Sequence, residues 1–151
     1  MAEVKSTQTT SVAAGQKLLP SADGGRRRQF FAEYLAPAST QAVSDTIYLG
    51  DLPKGARINH DWLCNFSTGT ASCTLDVGFR KKSDGTVIDV DGIAALAAVT
   101  TAGQVALNTG SSIAGGLSYV TTEVVEVYAT IRAAVLAASQ KLIFEGSYVQ
   151  D

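Results

Sequence analysis

The sequence is short of the residues that most chemistry requires. Its 151 residues include one histidine, two cysteines, one methionine, one tryptophan and three prolines. Metal centres and acid–base sites usually draw on several such groups, so a lone His60 reads as a histidine packed on the inner face of a strand. Two cysteines do not make a disulfide scaffold, and Cys64 and Cys73 read as free core thiols. Charged residues are 17% of the chain, against about 25% in ordinary globular proteins. No apolar run is long enough for a secretory signal or a membrane helix, and the expectation is synthesis in the cytoplasm with no membrane partner. The sequence contains no G-x-S-x-G, H-E-x-x-H, Walker or G-x-G-x-x-G pattern, so neither a catalytic residue nor a cofactor is expected.

Small neutral residues fill the space that charge leaves. Alanine, threonine and serine number 22, 15 and 13, about a third of the chain. Such a composition suits a folded body with Thr, Ser and Gly on its solvated faces. It also suits a protein packed against neighbours, because long charged side chains lose the most entropy when pinned. The net charge is −2, which argues against bulk binding of nucleic acid. Residues 1–28 carry Lys5, Lys17 and Arg26 to Arg28 against Glu3 and Asp23, a balance of +3; the rest carries seven basic and twelve acidic side chains, a balance of −5. A basic arm therefore precedes an acidic body. Residues 1–25 show no period and hold one apolar pair, Leu18 and Leu19. They read as an extended N-terminal arm before a body spanning residues 26–151.

In that body the apolar pattern has a period of two. Residues 28–35, 46–49, 57–66, 73–79, 86–90, 123–132 and 141–149 all alternate, with a further short strand at 104–107. Ile58, His60, Trp62, Cys64 and Phe66 share one face, as do Cys73, Leu75, Val77 and Phe79. A hairpin turning at Thr68–Gly69 pairs Cys64 with Cys73 and Trp62 with Leu75, and keeps every apolar partner on one side. Residues 91–99, rich in Ala and Leu behind Asp91 as a cap, predict one short helix. Residues 133–140 predict a hairpin connection between the last two strands. About eight strands with turns every 8–12 residues predict an all-β sandwich, jelly-roll-like. Trp62, Phe79, Val125, Val127 and Phe144 are expected to form its inter-sheet cluster.

Three motifs have weak functional readings. Asp89-Val-Asp91-Gly92 resembles part of a calcium loop, but Val87 and Ala98 stand where ligands belong, so no metal is expected. Asn65-Phe-Ser67 matches a glycosylation sequon that has no meaning without secretion. Arg26-Arg27-Arg28 lacks the interleaved aromatics of single-strand binders and reads as a solvated run or a contact to an acidic surface.

One stretch carries a resemblance. Asp45-Thr-Ile-Tyr-Leu-Gly-Asp-Leu-Pro-Lys-Gly-Ala-Arg57 resembles a segment of small structural proteins of tailed bacteriophages, the head decoration or capsid cement proteins. The polar opening Met1 to Thr9, the strand Leu75-Asp76-Val77-Gly78 and the closing Lys141 to Val149 are similar to that family as well. The resemblance implies a sandwich body on the outer surface of the capsid in the virion and an arm reaching a neighbour. It also implies a structural role without catalytic residues. The partners it implies are the major capsid protein and other copies of the chain, as a dimer or trimer. Leu18, Leu19, Arg26, Arg27 and Arg28 are the expected contact residues of the arm. The rival is a receptor- or carbohydrate-binding module of a tail fibre or baseplate. Such a module needs exposed aromatics, and only Tyr119 and Tyr48 are candidates here.

Overall fold

A computed structural model of the chain describes residues 13–16, 26–114 and 118–150. The alternating runs become nine strands: β1 (Arg26–Leu35), β2 (Thr46–Leu52), β3 (Arg57–Ile58), β4 (Leu63–Phe66), β5 (Thr74–Lys81), β6 (Val87–Ala98), β7 (Gly103–Ala106), β8 (Val125–Arg132) and β9 (Lys141–Gln150). They form two antiparallel sheets, ordered β1-β9-β4-β7, with β3 also on β9, and β2-β8-β5-β6. The chain steps from one sheet to the other after β1, β2, β4, β6, β7 and β8. Among neighbours in sequence only β5 and β6 pair with each other.

The expected core is present. Trp62, Phe79, Val125, Val127 and Phe144 are all buried in one cluster between the sheets. The Phe30 ring lies 4.8 Å from that of Trp62, and the Trp62 indole N–H donates to the Ser147 carbonyl at 3.1 Å. On β9, Gly146 makes this packing possible: a Cβ there would stand 2.3 Å from Trp62 Cδ2. Cys64 and Cys73 are buried, free thiols. Burial pushes the Cys64 thiol up to about 12 and raises that of Cys73, so both are held in the unreactive protonated form.

Four expectations are corrected. First, no hairpin turns at Thr68–Gly69. β4 pairs with β7 and β9, whereas β5 pairs with β6 and β8 in the opposite sheet. Trp62, Cys64, Cys73 and Leu75 do face the core, but across the sandwich. Alternation specifies a strand's face, and two strands sharing a core satisfy it whether paired or opposed. Second, residues 91–99 are not helix: 91–98 are the last eight of the twelve residues of β6, and Val99 follows the strand directly. Ile93, Ala94, Ala97 and Val99 are buried there, and pairing with β5 overrides a weak alanine propensity. Between the pairs Val77–Ala94 and Phe79–Asp89 the strand bulges. The bulge lies over Gly78, where a Cβ would meet the Asp89 carbonyl at 2.1 Å. Third, residues 133–140 form no hairpin, since β8 and β9 lie in different sheets. They cross the sandwich with Leu136 buried and bridged to Gln41. Fourth, His60 is exposed. The ladder stops after Ile58, and the polar residues that follow fold back over β9.

Candidate interaction surface

The basic run opens β1. Arg26, Arg27 and Arg28 are exposed and pair in register with Gln150, Val149 and Tyr148 of β9. Leu18 and Leu19, the expected apolar contacts of the arm, lie outside the described residues. The three arginines differ in their surroundings. Arg27 forms an ion pair with Asp61 and donates from Nε to the Ser147 hydroxyl at 2.9 Å. Among the described residues, Arg26 and Arg28 take part in no ion pair.

Ser147 organises this corner. Its hydroxyl donates to Asp61 Oδ2 at 2.9 Å and accepts from Asn59 Nδ2 at 2.7 Å. Its amide donates to Asp61 Oδ1 at 3.2 Å, and its carbonyl accepts from the Asn59 amide at 3.1 Å. Burial alone pushes the Asp61 carboxyl up, but the hydrogen bonds from Ser147 and Arg27 outweigh it and hold Asp61 below its ordinary value. A polar groove of about 430 Å³ opens beside this corner, between Arg28, Gln29, Leu63 and Glu145. In the sequence the only trace of the arrangement is the polar break Asn59-His60-Asp61 in an otherwise alternating run.

A pH dependence follows. Asp61 is ionised more readily in the folded chain than in the unfolded one. Its contribution is therefore present above the unfolded carboxylate value of about 3.9 and is lost as pH falls through the lower folded value. Asp61→Asn is expected to lower the urea midpoint at neutral pH and to cost progressively less on acidification. Equilibrium unfolding of both proteins along a pH series checks this; an undiminished difference in acid would contradict it.

The outer face of the second sheet is occupied by its own network. Arg132 pairs with the buried Asp76 at 2.7 Å, and Asp76 also accepts from the Leu96 amide at 2.8 Å. Arg80 pairs with Glu126 at 2.7 Å and lies 5.2 Å from the centre of the Tyr128 ring. Lys81 pairs with Glu123, and Lys82 with Asp51. In the β6 bulge, Asp89 Oδ2 accepts from the hydroxyls of Ser111 and Ser112, both at 2.6 Å. Burial and the neighbouring Asp89 raise the Asp91 carboxyl. Among the described residues no three His, Cys, Asp or Glu side chains converge.

Both sheets leave apolar side chains open, with Val87 and Leu96 of β6 exposed on the second. Phe31 and Leu35 on β1 are 59% and 63% exposed. Between them stands Glu33, paired with Lys141 at 3.0 Å. Tyr48, a candidate for exposure, is 54% exposed with its hydroxyl donating to Asp51 at 3.0 Å. Tyr119 is instead stacked on Phe79, ring centres 4.6 Å apart.

No family model matches the chain, and no curated protein does. Two solved structures share its fold. A chain of the capsid of Ralstonia phage GP4 is 20% identical with a TM-score of 0.67, over 84% of this chain and 86% of that one. A chain of the capsid asymmetric unit of cyanophage Pam1 is 12% identical with a TM-score of 0.57, over the same shares, 84% and 86%. At these identities the likeness is one of fold.

Proposed function

We propose that this chain is a structural virion protein that binds the outer surface of a phage capsid and stabilises the shell as a decoration or cement protein. The observation that carries the reading is the shared fold with the GP4 capsid chain at a TM-score of 0.67. The sequence supports it with the resemblance over residues 45–57 and with its neutral Thr- and Ser-rich composition. Capsid shells repeat the same seams many times. A small protein that binds the assembled lattice better than free subunits stabilises the shell by mass action, and many copies act together although each contact is modest. The partners are the major capsid protein and other copies of this chain. No catalytic residue, cofactor or metal belongs to the reading.

Residues 1–25 are the proposed anchor, with Leu18 and Leu19 as apolar contacts and Arg26 to Arg28 facing acidic groups of a neighbour. Deleting residues 2–19 is expected to leave a folded body that binds its particle poorly. Neutralising Arg26 to Arg28 is expected to weaken binding more at low salt than at high salt, because exposed charges are screened beyond about 10 Å at 0.1 M. Co-sedimentation with particles lacking the protein tests both. Full occupancy by the armless chain removes the arm as anchor, and absence of binding by the complete chain removes the capsid reading.

A further inference from the structure

Among the described residues, four strands end the two sheets: β1 and β7 in one, β2 and β6 in the other. A free edge offers unpaired N–H and C=O groups, and proteins blunt such edges with bulges, brevity, proline or charge. β7 is only four residues long. β2 bulges between Tyr48 and Gly50 and runs into Pro53. β6 loses register with β5 at three places and carries Leu96 at a φ of +50°. β1 has no bulge and no proline. All ten of its residues pair with β9 in unbroken register, and Phe31 and Leu35 stand exposed on it. Its charges are divided between its ends, with Arg26 to Arg28 at the start and Glu33 near the finish.

We propose that β1 pairs with the β1 of a second copy of this chain, antiparallel, about a two-fold axis through Phe30. Paired residues must share a face, so their numbers must sum to an even value. About Phe30, Arg27 faces Glu33 of the other copy, Arg26 faces Tyr34 and Gln29 faces Phe31, each twice by symmetry. An axis through Gln29 puts Arg27 against Phe31 and Arg28 against Phe30. An axis through Phe31 puts Arg27 against Leu35 and Glu33 against Gln29. A parallel pairing sets the arginines against themselves, which is unfavourable. Only the axis through Phe30 brings cation to anion. Arg27 and Glu33 already hold Asp61 and Lys141; their side chains are 68% and 48% exposed, which leaves room for a second partner. The pairing joins the two β1-containing sheets into one continuous sheet across both copies.

This proposal needs no particle to test it. In sedimentation velocity up to millimolar concentration, the full chain is expected to form a dimer of twice its 15.7 kDa mass. Glu33→Arg is expected to weaken it by about tenfold or more, since two attractive cross-strand pairs become repulsive. Adding Arg27→Glu to that variant restores the dimer by exchanging the charges. Phe31→Lys, which places a lysine on the edge, also yields monomer. Near-ultraviolet circular dichroism from buried Trp62 confirms that each variant is folded. Amide exchange in β1 slows as wild-type concentration rises and is independent of concentration in Glu33→Arg. A wild-type monomer, a trimer, or a dimer indifferent to Glu33→Arg would each overturn the proposal; the monomer would leave β1 for a strand of another protein.

Discussion

Truncating Trp62 to alanine is expected to cost about 3–5 kcal/mol, the range for removing a fully buried large aromatic side chain. Trp62 is 1% exposed. Its indole is wedged between the Phe30 ring and the β9 backbone at Gly146, and its N–H is spent on the Ser147 carbonyl. The same wedge makes Gly146→Ala costly, because the added methyl carbon falls 2.3 Å from Trp62 Cδ2. With Phe30 behind the indole, relief requires a shift of strand or ring, about 1–3 kcal/mol for overpacking a core. The two changes should be strongly non-additive: Gly146→Ala in the Trp62→Ala background should cost little, since the space is then free. Urea unfolding of the two single variants and the double variant measures this coupling. Additive losses would mean that Gly146 is required for some other reason.

The second large effect concerns Asp76, 7% exposed on the outer face of β5. Arg132→Met leaves this carboxylate without its cation, while Leu96 still holds its other oxygen. Stripping the partner from a fully buried pair costs about 3–5 kcal/mol. The Arg132 side chain is 35% exposed, so water offsets part of that, and about 2–3 kcal/mol is expected. Asp76→Asn with Arg132→Met should recover much of the loss. Breaking the exposed Glu33–Lys141 pair should cost no more than about 1 kcal/mol. Thermal and urea unfolding of the set checks the order; equal losses at both pairs would show that burial does not govern them.

These two sites also show how far the sequence could be read. The core was legible because alternation marks faces: Trp62, Phe79, Val127 and Phe144 declare themselves inward in any all-β arrangement. Their partners were not legible. Trp62 and Leu75 satisfy the same pattern as neighbours in a hairpin or as opposed residues in a sandwich, and only the long-range closure of β9 between β1 and β4 decides. The β6 segment misled because Asp91-Gly-Ile-Ala-Ala-Leu has good local helix character, and its strand state depends on β5 beside it. The corner at Ser147 joins Arg27, Asn59, Asp61 and Ser147, residues up to 120 positions apart, and no local signal connects them. The arginine run was visible as charge, but its division into Arg27, held by Asp61 and Ser147, and Arg26 and Arg28, without an ion pair among the described residues, depends on β1 lying beside β9.

A cryo-electron microscopy map of the virion whose genome encodes this chain tests the central claim most directly. The account predicts a two-sheet density of this fold on the outer surface of the head, repeated with the lattice, with the segment before Arg26 in contact with a neighbouring subunit. A head shell complete without that density, with the fold found at the tail or absent from the particle, would contradict it.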